Sequence, residues 1–183
     1  CWILRELFSV PELKSYLTFK GGTSLSKVYN VIERFSEDID LSIEKGMFGF
    51  IGEKDPKNAT GKNAKKLIEE LSESCKKYVQ SDLLKILREQ IVKKIPNEKE
   101  WILEIDRHDP DGQTILFFFP TLERNENHYI RPAVKIELGA RAEHWPTSEE
   151  KVEAYLSVVD TNIYSDKERS EERRLGKEGK TPW

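Results

Sequence analysis

Apolar positions along the chain follow two rhythms. "WILRELFSV" and "ELKSYL" carry apolar residues at helical spacing, which predicts one or two helices over residues 2–16. The short, β-prone "YLTF" leads into Gly21-Gly22. In "TSLSKVYNVIERF", Leu25, Val28, Tyr29 and Ile32 stand at i, i+3, i+4 and i+7, the spacing of an amphipathic helix, with Thr23 or Ser24 as natural N-cap. "EDIDLSI" then alternates strictly. Ile39, Leu41 and Ile43 face one way and Asp38, Asp40 and Ser42 the other, as on a half-buried strand.

Residues 46–60 are polar and glycine-rich and read as a flexible loop. Residues 61–95 read as a long helical region with Leu67, Leu71, Tyr78, Leu84, Leu87, Ile91 and Ile95 as buried candidates. Ser81-Asp82 offers a fresh cap that would split it, and Pro96 ends it. "EWILEID" and "QTILFFFP" flank "RHDPDG", which predicts a hairpin with a Pro-Asp-Gly turn. "RPAVKIELGA" alternates again, with Val134, Ile136 and Leu138 opposite Lys135 and Glu137, and "VEAYLSVVDT" reads as one more strand. The expectation is an α/β layer, with α+β as the alternative, built on a mixed sheet flanked by helices. Residues 1–164 form its core domain. The charged run from 165 to 183 has little apolar surface to bury beyond Leu175 and reads as a disordered or truncated tail. The chain begins with Cys1 rather than Met, so the natural start is expected to lie upstream.

Composition narrows the function. Hydrophobic residues make up 37% and charged residues 34%, as in a globular domain with a charged surface. A net charge of -3 excludes a globally basic nucleic-acid binder, so any such surface is local. Cys1 and Cys75 make neither a disulfide framework nor a zinc signature, and His108, His128 and His144 lack ligand-like spacing. No apolar run approaches the ~18 residues of a membrane helix, and no secretory signal is visible. The expected location is cytoplasmic, without a membrane partner.

The chemistry concentrates in "KGGTSLSKVYNVIERFSEDIDLSI", residues 20–43. Backbone amides at a helix start lack internal partners, and small residues let a phosphate approach them. Gly21 and Gly22 supply the space, and Thr23 and Ser24 add hydroxyls. The pattern is neither a P-loop nor a dinucleotide fingerprint. Glycines at a strand-to-helix turn also serve shape alone. Asp38 and Asp40 lie ~6.5–7 Å apart along a strand, close enough to converge on divalent cations. The plainer reading is a solvated strand face, and Asp109-Pro110-Asp111 shows that such pairs also occur in turns. Glu137, flanked by Ile136 and Leu138, is a third acid that faces either water or a site. Together the cradle and three acids describe a two-metal nucleotide site.

This combination closely resembles the signature of the AbiEii-type nucleotidyltransferase toxins, within the polymerase-beta-like nucleotidyltransferase superfamily. The matching residues are Gly22-Thr23, Asp38-Ile39-Asp40 and Glu137, with "RPAVKIELGAR" similar to the family's third-acid segment. The resemblance covers about residues 15–45 and 131–142. Thr23 and Glu137 stand where many members use serine and aspartate, and the chain stops where the family usually continues into a largely helical region.

The resemblance implies a polymerase-beta-like fold and transfer of a nucleoside monophosphate from an NTP to a hydroxyl, with Mg2+, or Mn2+ in its place. Asp38 and Asp40 would hold both metals and Glu137 would complete the one that binds the acceptor hydroxyl. Gly21, Gly22, Thr23 and Ser24 would bind the nucleotide. Lys27 and Lys135 reach either the triphosphate or solvent. Implied partners are a tRNA 3′ end or a protein hydroxyl as acceptor and an antitoxin protein, in a type IV toxin–antitoxin or abortive-infection system against phage. Residues 54–95 carry more Lys and Arg than Asp and Glu, which suits an RNA backbone or an ordinary solvated face. The alternative is a catalytically silent nucleotide- or partner-binding module derived from this fold.

Overall fold

In the computed structural model, which describes residues 2–22, 24, 38–119, 133–141, 147–152 and 171–176, the alternating stretches become one mixed sheet. Its strands are β1 (Leu17–Lys20), β2 (Asp38–Ile43), β3 (Ile102–Ile105), β4 (Thr114–Phe118), β5 (Ala133–Gly139), β6 (Thr147–Val152) and β7 (Glu171–Gly176). Their order is β3-β4-β5-β2-β1-β7-β6. β2 runs parallel to β5, and β7 parallel to β1; the other neighbours are antiparallel.

Register sorts the side chains into two faces. Phe19 pairs with Leu41, Leu41 with Leu138, Ile39 with Ile136, and Ile136 with Ile115. These residues are buried and form a continuous apolar face. Helix α1 (Trp2–Phe8) adds Ile3, Leu4, Leu7 and Phe8 to the same core, and the Trp2 ring stacks on Phe117 with centroids 5.7 Å apart. A short helix, α2 (Pro11–Lys14), adds Leu13. Each fully buried Leu or Ile contributes ~1.5–3 kcal/mol.

The long helical region is one continuous rod rather than two capped helices. α3 (Gly61–Tyr78) passes through a π-helical segment (Val79–Leu83) into α4 (Leu84–Lys94). The Ser81 hydroxyl donates to the Lys77 carbonyl at 2.7 Å, so it back-bonds within the helix and does not cap a new one. The reason lies in the spacing of the apolar residues. Leu71, Cys75, Val79, Leu83, Leu87 and Ile91 are all buried and recur every four residues. At 3.6 residues per turn each step of four overshoots by about 40°, so the stripe would wind off the core. The wider π turn takes up that drift and keeps both halves facing the sheet. Leu67, Tyr78, Leu84 and Ile95 pack at the edge of the core.

Two further expectations meet the structure differently. Residues 46–60 are not a featureless loop. They form 3-10 turns at Lys45–Phe48, Gly52–Lys54 and Pro56–Asn58, with Phe50 buried and Lys45 Nζ 2.8 Å from Asp55 Oδ1. Asp55 also accepts the Lys57 amide at 2.9 Å, so one carboxylate fixes both ends of the segment. The charged run is not wholly an unordered tail: residues 171–176 form β7 between β1 and β6. An uncovered strand edge offers backbone groups for pairing whatever the side chains. Residues 165–170 and 177–183, the predicted helix from Leu25 to Phe35, and the strand expected beyond Val152 lie outside the described residues. The hairpin forms as expected, with Asp109 accepting from the Asp111 and Gln113 amides and the Thr114 hydroxyl, so that acid is a turn organiser.

Candidate active site

The sheet face opposite the core carries a row of charge. Register places Lys20 of β1 opposite Asp40 of β2, Asp40 opposite Glu137 of β5, and Glu137 opposite Thr114 of β4. One step along, Asp38 stands opposite Lys135. Alternation dictates this placement. Ile39 and Leu41 go into the core, so Asp38 and Asp40 cannot, and the same holds for Lys135 and Glu137 around Ile136. Adjacent strands lie ~4.8 Å apart, so two strands suffice to bring three carboxylates together.

The grouping is felt electrostatically. Burial raises the Asp40 carboxyl above the usual carboxylate range. The charges of Glu137 and Asp38 push the same way, Lys20 opposes them, and a hydrogen bond with Glu137 adds to the rise. Negative charge therefore exceeds what the nearby ammoniums offset. An all-carboxylate oxygen set of this kind suits a hard divalent cation such as Mg2+.

The glycine turn lies against this cluster. Gly21 follows β1 directly and has φ 77°, a conformation that favours glycine. A Cβ on it would stand 2.5 Å from Asp40 Cγ and closer still to Oδ2. Gly21 thus lets the β1 end pass over the carboxylate. Gly22 faces open space, with nothing within 4 Å of where a Cβ would be. Ser24 is 2% exposed and its hydroxyl donates to the Gly21 carbonyl at 2.8 Å. It shapes the turn from within, and its proton is not turned outward as a ligand donor. Thr23 and Lys27 lie outside the described residues.

Asp38, Asp40, Glu137 and Lys135 are therefore assembled on one face, with Gly21 against Asp40. Among the described residues, no three His, Cys, Asp or Glu side chains already stand gathered as a ligand group. The strands bring the acids together, and the side chains pair within the cluster, Asp40 with Glu137 and Glu137 with Lys135. Glu137 Oε1 lies 2.6 Å from Lys135 Nζ. The oxygens of the acids are the donor type that a divalent ion takes, and Lys135 contacts one of the two on Glu137.

Lys20 is the member of this face that does not stand out from sequence, whereas the alternation already places Ser42 on it. Lys20 moderates Asp40, and its position in phase opposite Phe19 is the available signal. Ser42 extends the acid face by one pleat. It is 2% exposed, and its hydroxyl has no hydrogen-bond partner among the described residues. No helix among the described residues is long and apolar enough to cross a membrane.

A family model described as nucleotidyl transferase AbiEii toxin, type IV TA system, matches residues 2–165. No curated protein and no solved structure matches the chain.

Proposed function

The chain belongs to the AbiEii family of nucleotidyl transferase toxins of type IV toxin–antitoxin systems, and we propose that it transfers a nucleoside monophosphate from an NTP to a hydroxyl acceptor. The observation that carries this reading is the pairing of Asp40 with Glu137 across parallel strands, with Asp38 beside them and Gly21 closed over the Asp40 carboxylate. Helices flanking a mixed sheet agree with a polymerase-beta-like nucleotidyltransferase fold.

Asp38, Asp40 and Glu137 would hold Mg2+, or Mn2+ in its place. When bound, such ions neutralise triphosphate charge and lower the pKa of an acceptor hydroxyl. The residues of the chain do the rest. The amides of the Gly21-Gly22 turn, with Thr23, grip the β- or γ-phosphate. Lys20 offsets part of the push that burial and the neighbouring carboxylates exert on Asp40. The acceptor oxygen attacks the α-phosphorus, the bond to the bridging oxygen breaks, and pyrophosphate leaves. Lys27 and Lys135 supply positive charge to the triphosphate. The acceptor is a tRNA 3′ end or a protein hydroxyl, and an antitoxin restrains the activity in the cytoplasm.

Incubation with each labelled NTP, Mg2+ and total tRNA or cell protein tests the reading. Label transfer that disappears in Asp38→Asn supports it. Mg2+-dependent nucleotide binding without transfer to any acceptor would replace it with a binding module.

A further inference from the structure

We propose that Lys135 is a displaceable counter-ion. It pairs with Glu137 and moves to the triphosphate when nucleotide and metal enter, so that one residue couples the two loadings. The proposal rests on the nucleotidyltransferase reading of the site. Lys135 and Glu137 are two residues apart on β5 and share the acid face, with Nζ 2.6 Å from Oε1. Lys135 also stands in register opposite Asp38. Lys135 thus pairs with the acid of its own strand and stands beside an acid of the neighbouring one. Both side chains are partly open, at 38% and 42% exposure, so the pair can exchange partners without opening the core.

A divalent cation on Glu137 works against the ammonium already there, because Lys135 holds one of the two carboxylate oxygens and the two cations repel each other. Loading is therefore favoured when Lys135 leaves. A lysine is a point charge on a flexible stem. The anion it would meet is the incoming triphosphate, lying between the glycine turn and the acids. Metal alone works against an existing ion pair. Metal with nucleotide gives the displaced lysine a new partner. The result is positive coupling between the two ligands, reciprocal by thermodynamic necessity.

The test is Mn2+ binding by calorimetry, with and without a non-hydrolysable NTP analogue. It compares the wild-type chain with Lys135→Met, Lys135→Arg and Asp40→Asn. Lys135→Met should bind Mn2+ alone about 2- to 5-fold more tightly, the scale of a half-exposed ion pair that no longer competes. The tightening of Mn2+ binding by the analogue should shrink in the same variant. Lys135→Arg keeps the charge and should follow wild type. Lys135→Gln replaces the methionine variant if circular dichroism shows that variant unfolded. Unchanged Mn2+ affinity in the neutral variant, while Asp40→Asn abolishes binding, overturns the counter-ion and leaves the metal site standing. Mn2+ binding indifferent to Asp40→Asn overturns the site reading, and the counter-ion with it.

Discussion

Replacing Gly21 by alanine separates a backbone requirement from a steric one. Gly49 shares its φ of 77° but has nothing within 4 Å of the place a Cβ would take, whereas a Cβ on Gly21 would collide with the Asp40 carboxylate. Gly49→Ala should cost only the left-handed conformation, ~1–2 kcal/mol. Gly21→Ala carries the same cost and must also push Asp40 off its rotamer, adding ~0.5–1.5 kcal/mol. At roughly 2–4 °C per kcal/mol for a chain of this size, Gly49→Ala lowers Tm by about 2–8 °C, and Gly21→Ala by about 1–6 °C more. Thermal unfolding followed by circular dichroism measures both. In an Asp40→Gly background the Oδ2, Cγ and Cβ atoms it would strike are all gone, so the excess of Gly21→Ala over Gly49→Ala should vanish. Transfer activity should fall by about 10²-fold in Gly21→Ala, the scale of a misplaced reacting group. An excess that is absent in the wild-type background, or that survives in the Asp40→Gly background, refutes the close approach as the reason for glycine.

Asp40→Asn and Glu137→Gln should each lower transfer by at least ~10²-fold, read as kcat/KM with labelled NTP. Because the Asp40 pKa is raised by burial first and then by Glu137 and Asp38, its contribution to stability is present at acid pH. That contribution is lost as pH rises through the raised value, above the ordinary ~4. Metal-free wild type should therefore lose Tm across that window, and Asp40→Asn should lose less. Leu87→Ala empties a fully buried site on the helix–sheet interface and should cost ~2–5 kcal/mol, measured by urea unfolding. Burial raises the Cys75 thiol to about 12, so in a Cys1→Ser variant thiol reagents at pH 8 should label the protein only after unfolding.

Much of this is legible in the chain because period-2 alternation is unambiguous when one face is buried. Ile39, Leu41 and Ile43 place Asp38 and Asp40 on the opposite face without help from any neighbour, and Ile136 and Leu138 do the same for Glu137. The pairing of β2 with β5 is not legible. Nothing local to either strand says that Asp40 meets Glu137 or that Lys20 meets Asp40, because register between distant strands is a property of the whole sheet. The ion pair of Lys135 with Glu137 escapes for another reason: two residues on one face can touch or diverge, and rotamers decide. The rod from Gly61 to Lys94 reads in sequence as one long helical region that Ser81-Asp82, a good cap in isolation, could split. The four-residue recurrence from Leu71 to Ile91 is the better signal, since only an uninterrupted helix with a wide turn keeps that stripe on the sheet. Residue type alone makes Ser24 an outward donor, and burial turns it inward.

The parallel pairing of β2 with β5 bears on how a toxin can be made safely. On the proposed reading, two of its three acids emerge from the ribosome early and the third about a hundred positions later, so a nascent chain that has not yet extruded β5 would lack the third. The proposed activity would then become available only when synthesis of this region is nearly finished and the far strand has inserted between β4 and β2. A partner that kept these two strands apart would disarm the protein without ever touching its nucleotide.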